Sequence, residues 1–167
     1  MSKAQAMLGQ FKQEVAGTRK ALERVPFEKA EWAPHEKSMT LGRLAGHIAE
    51  MHGWGASILT SDEFDMAPVG EEAYQAPVFG STDEILAALD AGVAAVEAAL
   101  PGVSDEAWIE HWSLKMGGKE VFGSPRGAMF GTIAMNHVIH HRGQLSVYLR
   151  LFNVPVPGMY GPSADEH

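Results

Sequence analysis

The sequence of 167 residues contains no cysteine. A disulfide framework, a thiolate metal site and a cysteine nucleophile are therefore excluded, and any metal ligands must be histidine, aspartate or glutamate. Basic residues are also scarce, because 13 of them against 21 acidic residues give a net charge of -8. With no basic stripe to neutralise phosphates, we expect no nucleic acid as a partner.

Long apolar runs are absent as well. The first twenty residues contain no apolar run of signal-peptide length, and no segment approaches the roughly 18 apolar residues of a membrane span. We therefore expect a cytoplasmic protein with no membrane partner. The sequence has no internal repeat and no low-complexity segment, so residues 1–167 are predicted to form a single domain.

Hydrophobic periodicity predicts three helices in the first two thirds of the chain. Apolar residues recur at three-and-four spacing over 3–24, where Pro26 stops the pattern, and over 40–59, where Ser38 or Thr40 is the N-cap. The third helix follows a capping box of Ser81 and Glu84 and ends at Pro101. Residues 60–80 are rich in proline, glycine and acid, which indicates a long crossover connection.

The last third of the chain is predicted to hold a small β-hairpin and the longest helix. Polar and apolar residues alternate over 110–122 around Gly117-Gly118, as in a hairpin. Ser124-Pro125 is the predicted N-cap and first turn of a helix whose periodicity runs over 129–152, and the proline-containing tail beyond it is extended. The predicted fold is an all-α four-helix bundle with long crossover connections and a hairpin before the last helix.

Three histidines lie on the inward faces of two predicted helices. A helix turns by about 100° per residue, so His141 lies about 40° from His137, within the apolar face of the last helix. His47 is similarly surrounded by apolar residues on the second helix. Because a buried polar group without a partner costs about 1–3 kcal/mol, three inward imidazoles need an explanation.

A divalent transition metal would explain these imidazoles. His137 and His141 are four residues apart and can converge on one ion, and His47 completes a tripod from a neighbouring helix. Three ligands leave an open coordination position, as in catalytic zinc sites. Zinc or nickel is the expected metal, although three histidines also suit iron or copper. The alternative is that all three are ordinary core histidines of a helical interaction module.

Further residues near the predicted ligands are candidates for supporting roles. Glu50 and Gln144 can hydrogen-bond a metal-bound water or a ligand imidazole, and both are also ordinary helix-face residues. His140 lies about 60° from the ligand pair and is predicted to lie at the helix flank, outside the set of ligands. Trp54 and Tyr148 can line a pocket or simply pack in the core.

The remaining histidines are not predicted to be ligands. His52 lies about 140° from His47 on the same helix. The others fall in a loop, in the hairpin and at the C-terminus, where surface histidine is the default: His35, His111 and His167.

The sequence resembles the DinB family in three places. LGRLAGHIAEMHGW on the second helix and NHVIHHRGQLSVYLR on the fourth match its motifs, and the tail VPVPGMYGPSADE matches its C-terminal pattern. The resemblance implies a four-helix bundle with long crossovers, a metal held by His47, His137 and His141, and a homodimer. In the wider superfamily it implies thiol-dependent transferases and isomerases, in which the metal activates a low-molecular-weight thiol.

Two classes of function follow from these observations. The first is a metal-dependent enzyme that activates a small thiol, or water, for an S-transferase, isomerase or hydrolase reaction. The second is a non-catalytic, stress-related metal-binding dimeric bundle. For the helical interaction module without a metal, Ile139 and Val147 on the outer side of the last helix leave room for a helix–helix dimer contact.

Overall fold

The computed structural model describes residues 2–166 and shows a bundle of helices with a small sheet. In chain order the elements are α1 (Lys3–Leu22), α2 (Leu41–Thr60), β1 (Glu63–Asp65), α3 (Thr82–Ala99), α4 (Asp105–Ile109), β2 (His111–Met116), β3 (Lys119–Pro125), α5 (Arg126–Phe130), a π-helical segment (Gly131–His137) and α6 (Val138–Leu151). Short 3-10 turns cover Phe27–Lys29 and Leu100–Gly102. The predicted helical bundle with a hairpin before the last helix is confirmed.

The long helices pack in a ring around a common core. Helix α1 contacts α3 and α6, and α2 contacts the same two helices from the other side. Two glycines allow α2 to approach its neighbours closely. A Cβ at Gly55 would come within 2.8 Å of Ala134 Cβ, and one at Gly92 within 2.7 Å of the Gly53 backbone nitrogen. The first approach brings α2 against the last helix, where the predicted metal ligands lie, and the second brings α3 against α2.

The N-terminal caps of α2 and α3 follow the sequence signals. The Thr40 hydroxyl accepts a hydrogen bond from the Arg43 backbone N–H at 3.2 Å, and the Ser81 hydroxyl accepts one from the Glu84 N–H at 3.2 Å. The predicted capping box at α3 is half formed, because the Glu84 carboxylate accepts from the Gly80 N–H at 2.7 Å. The helices therefore begin where the sequence places them.

The start of the last helix differs from the sequence prediction. Ser124 and Pro125 belong to β3, where they pair with Trp112 and His111 of β2. Helical structure begins only at Arg126, and Pro125 makes no side-chain capping bond. The prediction of a Ser124 N-cap was wrong because the hairpin extends to the helix without a loop.

The last helix also contains a π-helical segment, Gly131–His137, between α5 and α6. Such segments widen the helical turn and often occur at functional sites. The rotation of about 100° per residue therefore does not hold for residues before His137, although Phe130 and Ala134 are still buried. His137 ends this segment, directly before α6.

The crossover connection contains strand β1, which the sequence did not predict. It pairs in parallel with β2, with Phe64 opposite Leu114. The Asp65 carboxylate accepts backbone hydrogen bonds from Ala67 at 3.0 Å, Gly117 at 3.0 Å and Gly118 at 2.6 Å. Gly117 and Gly118 have positive φ values of 62° and 75°, as the predicted turn requires. These bonds hold the crossover against the hairpin.

The stretch Thr82–Gly102 is long and apolar enough, by length and composition, to cross a membrane, with a mean hydropathy of 1.5. This finding corrects the expectation that no segment approaches that limit. Alanine supplies much of the hydropathy, and Ile85, Leu89 and Val96 are buried in the bundle core. Length and composition alone do not distinguish a membrane span from an alanine-rich bundle helix.

Candidate metal centre

The structure brings His47, His137 and His141 together between α2 and the last helix. Their ligand nitrogens all lie within 4.8 Å of one another, so the group can hold a metal ion. His141 is buried, and His47 and His137 are half-buried. The three histidines that the apolar periodicity placed on inward helix faces are therefore close together in the bundle.

The separations of the ring nitrogens allow a test of the fit to a metal. Two imidazoles bound tetrahedrally at 2.0–2.1 Å from zinc have nitrogens about 3.3 Å apart. The His47 Nε2 and His137 Nε2 atoms are 3.4 Å apart, which matches this value, and the Nε2 atoms of His137 and His141 are 2.7 Å apart. The second pair would have to separate slightly. Three neutral nitrogen donors on one point suit a borderline divalent metal such as zinc or nickel.

Two polar side chains orient the imidazoles from outside the site. The Nδ1–H of His47 donates to the Glu50 carboxylate at 2.6 Å, and the Nδ1–H of His141 donates to the Gln144 carbonyl oxygen at 2.7 Å. Both bonds place the proton on Nδ1 and leave the Nε2 lone pair directed inward. Gln144 is itself held by a 3.1 Å hydrogen bond from its amide to Nε2 of the exposed His140.

The surroundings of His137 and His141 lower the pKa values of both imidazoles. Burial first, and then the nearby imidazoles of His141, His47 and His140, lower the pKa of His137 to about 4. Burial also lowers the pKa of His141, against the opposing effect of its hydrogen bond with Gln144. Neutral imidazole is the form that binds a metal, so His137 and His141 are ready for ligation at neutral pH.

Glu50 is the centre of a hydrogen-bond network beside the ligands. Its carboxylate accepts from Arg43 Nη2 at 2.9 Å and from the Tyr74 hydroxyl at 2.9 Å, in addition to His47. Burial alone would raise the pKa of the Glu50 carboxyl, but the hydrogen bonds from His47, Arg43 and Tyr74 outweigh it and hold the pKa below its usual value. Glu50 is therefore an anion that stabilises the Nδ1–H of His47.

Two cavities border the three histidines. The first, which we call the metal-side cavity, has a volume of about 240 Å³ and is lined by Arg43, His47, Glu50, Met51, Trp54, Met66, Tyr74, Leu114, Ile133 and His137. The second has a volume of about 340 Å³ and is lined by Pro34, Lys37, Ser38, Met39, His141, Gln144 and Tyr148. Small molecules can therefore approach the centre from two sides.

Comparison with known proteins identifies the family. The model of the DinB family matches residues 1–167. The chain belongs to the DinB family. An uncharacterised protein of Bacillus subtilis strain 168, YrdA, is 27% identical over 158 residues, which cover 92% of this chain and 85% of YrdA. The resemblance found in the helix motifs is thus confirmed over the whole chain.

Solved structures of DinB-like proteins have the same fold. A DinB-like protein from Bacillus cereus ATCC 10987 superposes with a TM-score of 0.65 at 25% identity, covering 92% of this chain and 95% of that protein. The DinB-like protein YjoA of Bacillus subtilis gives a TM-score of 0.67 at 17% identity, with 95% and 99% covered. At that identity the second comparison shows the fold alone.

Several residues of this DinB-family site were not found from the sequence. Tyr74 and Met66 come from the crossover connection, and Leu114 comes from the hairpin. Helical periodicity does not indicate which residues of the crossover connection and the hairpin face the site, because neither segment is helical. Tyr74 is a half-buried aromatic residue in an otherwise proline-, glycine- and acid-rich stretch, and that contrast was the available signal. Of the two predicted pocket residues, Trp54 lines the metal-side cavity and Tyr148 the second one.

The histidines outside the predicted ligand set lie in different environments. His35 and His111 are exposed, as predicted, and His167 lies outside the described residues. His52 is only 1% exposed, and its Nδ1–H donates to the Ile48 carbonyl at 3.1 Å. His52 is buried although it lies far round the helix from His47, because α2 is enclosed by both α3 and α6 and more than one of its faces is covered.

Burial of His52 predicts a loss of stability in acid. Burial lowers the pKa of His52 to about 4, so the folded state binds fewer protons than the unfolded state between about pH 6.5 and pH 4. The contribution of His52 to the free energy of unfolding is complete above pH 6.5. It falls by about 3 kcal/mol as the pH drops from about 6.5 to about 4. Urea unfolding of metal-free wild type and His52→Leu from pH 7.5 to 4 measures this contribution.

The difference between the two proteins isolates His52, because the other histidines titrate in both. The free energy of unfolding of wild type should fall more steeply with acid than that of His52→Leu. Parallel pH curves would contradict the assignment of a neutral, buried imidazole.

Proposed function

We propose that this DinB-family protein is a metal-dependent enzyme. His47, His137 and His141 hold one divalent transition metal, zinc or nickel, and a position left open by the protein takes a low-molecular-weight thiol or a water. The observation that carries the proposal is the convergence of three Nε2 atoms from two helices on a point bordered by two cavities. Family membership and the fold of a solved relative support the bundle that brings these histidines together.

A divalent metal at this point would lower the pKa of a coordinated thiol or water and supply a nucleophile at neutral pH. The chain itself supplies orientation and exclusion of water. Glu50 and Gln144 fix the ring orientations of His47 and His141 through their Nδ1 atoms. Arg43 neutralises the charge of Glu50, so the site carries no excess negative charge that would disfavour an anionic nucleophile.

The walls of the metal-side cavity favour a thiol over water as the nucleophile. Apolar side chains form much of its surface, namely Met51, Met66, Leu114 and Ile133. A thiol is more weakly hydrated than water and loses less on entering apolar surroundings. Because the chain has no cysteine, the sulfur must come from a small molecule. S-transfer or thiol-assisted isomerisation therefore fits this cavity better than hydrolysis.

A second candidate is a non-catalytic metal-binding dimer. Val147 and Leu151 are each 57% exposed on α6, four residues apart and therefore on the same side of the helix. They are available for contact with a second copy. In that case the metal would stabilise the bundle, and the open position would not bind thiols.

Cobalt-loaded protein distinguishes these two functions. Addition of 2-mercaptoethanol at pH 7 should produce a near-ultraviolet thiolate-to-cobalt charge-transfer band that saturates at one thiol per metal. The pH midpoint of that band should lie about two units or more below the pKa of the free thiol, because the metal stabilises the thiolate. Absorption spectroscopy across a pH series gives both quantities.

His137→Ala treated in the same way is the matched control and should show no band. A wild-type protein that holds cobalt stoichiometrically, yet shows no thiolate band, would contradict thiol activation and leave water activation or the metal-binding dimer.

A further inference from the structure

A second group of aromatic residues encloses a cavity next to the metal centre. Trp54, Phe64, Tyr74 and Trp112 line this space of about 280 Å³, which we call the aromatic cavity. We propose that the aromatic cavity binds an uncharged aromatic group of the substrate. That the bound molecule is the substrate rests on the proposed function, whereas the binding of an aromatic group does not.

The rings are arranged as in an aromatic-binding pocket. The Trp54 ring lies 4.9 Å from the Phe64 ring at an interplanar angle of 53°, and 5.3 Å from the Tyr74 ring at 88°. These edge-to-face and tilted contacts hold the three rings in fixed positions. Ring faces and edges are then available to a further aromatic group, which gains offset or edge-to-face contacts in addition to apolar burial.

The aromatic cavity and the metal-side cavity are neighbours that share part of their walls. Glu50, Trp54 and Tyr74 border both cavities. Trp54 follows His47 by seven residues, so the two Cα atoms are about 10 Å apart along α2. A molecule with its reactive group at the histidines and its ring against Trp54 therefore has to span a distance of about that order.

The charges around the aromatic cavity favour an uncharged ring. No lysine or arginine lines it among the described residues, and its carboxylate, Glu50, already accepts hydrogen bonds from His47, Arg43 and Tyr74. An anionic ring substituent would find no cation there. A cationic substituent would have to compete with Arg43 for Glu50.

One polar group at the aromatic cavity is left without a partner. The Trp112 side chain is 1% exposed, and its indole N–H makes no hydrogen bond to any other described residue. A buried donor without a partner is destabilising, so a ligand acceptor that reached it would gain a bond that the protein alone leaves unmade. Because this nitrogen is fully buried, the Trp112 ring has to turn before an acceptor on a bound aromatic ring, such as a carbonyl oxygen, can reach it.

Acetophenone, a planar ring with one carbonyl acceptor, is a suitable probe. We expect it to bind metal-free protein with a dissociation constant on the order of 1 mM. In ¹⁵N-labelled protein the indole N–H resonances of Trp54 and Trp112 should shift saturably, while those of Trp32 and Trp108, which do not line the cavity, should stay in place. Cyclohexyl methyl ketone keeps the acceptor but carries a saturated ring in place of the aromatic one, and should bind at least tenfold more weakly.

Gly53→Leu is the variant that blocks the cavity. Gly53 lines the aromatic cavity, and a Cβ added there meets no heavy atom within 4 Å, so the leucine enters open space without a clash. Gly143→Leu is the matched control, because it is also an exposed helical glycine with open space but lies on α6 away from the cavity. Both changes remove a helix-breaking glycine, so both variants should fold.

Acetophenone should bind Gly143→Leu as it binds wild type and should bind Gly53→Leu at least tenfold more weakly. Equal affinity for the two variants, equal affinity for the two ketones, or no saturable shift of the Trp54 and Trp112 resonances would overturn the proposal. Because no metal is present, these outcomes are independent of the cobalt–thiol experiment.

Discussion

Replacing His137 or His141 with alanine should reduce metal content from about one ion per chain to less than about a tenth of that value. Two ligands do not hold a divalent ion in a bundle of this size against a chelator, because the tripod loses a third of its donors. His140→Ala should retain about one ion per chain. His140 hydrogen-bonds Gln144 and packs edge-on against the His141 ring, but it is outside the group of converging ligand nitrogens, so its loss removes a support and no ligand.

Elemental analysis after chelation and reloading measures these contents. The variants are matched, since all three changes remove an imidazole from the last helix within five positions. Circular dichroism verifies that each remains helical. Equal metal content in His137→Ala, His141→Ala and His140→Ala would refute the ligand assignment and return the three inward histidines to ordinary core residues.

Arg142→Met should lower the free energy of unfolding by about 3–5 kcal/mol. Arg142 Nη2 lies 2.6 Å from the Glu14 carboxylate, and the two side chains are 4% and 10% exposed. Arg142 also donates to the Glu14 carbonyl, to Thr18 Oγ1 and to the Tyr160 hydroxyl. Its removal leaves the Glu14 carboxylate buried without its cation, and that uncompensated charge causes most of the expected loss.

Thermal unfolding of metal-free protein tests this expectation, with a fall in Tm of roughly 10 °C for a chain of this length. Arg150→Met is the control, because its ion pair with Asp165 is exposed and should contribute no more than about 1 kcal/mol. Glu14→Met combined with Arg142→Met should recover much of the loss, since both charges are then gone. A Tm for Arg142→Met equal to that of Arg150→Met would contradict the buried-pair argument.

Helical periodicity accounts for most of what could be predicted from the sequence. The inward positions of His47, His137 and His141 follow from the spacing of apolar residues, and the hairpin follows from alternation around Gly117-Gly118. These signals are local, because each depends on residues within one or two turns of the same element.

What could not be predicted depends on contacts between distant segments. Strand β1 forms only because β2 is present beside it, and Tyr74 reaches Glu50 from a connection that has no period of its own. The burial of His52 depends on α2 having neighbours on two sides, which an angle measured from His47 does not show. The π-helical segment likewise has no counterpart in the apolar pattern.

The hydrogen-bond chain from Tyr74 through Glu50 to His47 makes the aromatic wall and the metal ligand parts of one thermodynamic unit. A ring that moves Tyr74 would change how strongly Glu50 holds the Nδ1 proton of His47, and with it the donor strength of His47 Nε2. Linkage is reciprocal, so whatever factor a bound ring imposes on metal affinity, the metal imposes on ring affinity. Binding of the metal and binding of a ring in the aromatic cavity would then each raise, or each lower, the affinity of the protein for the other.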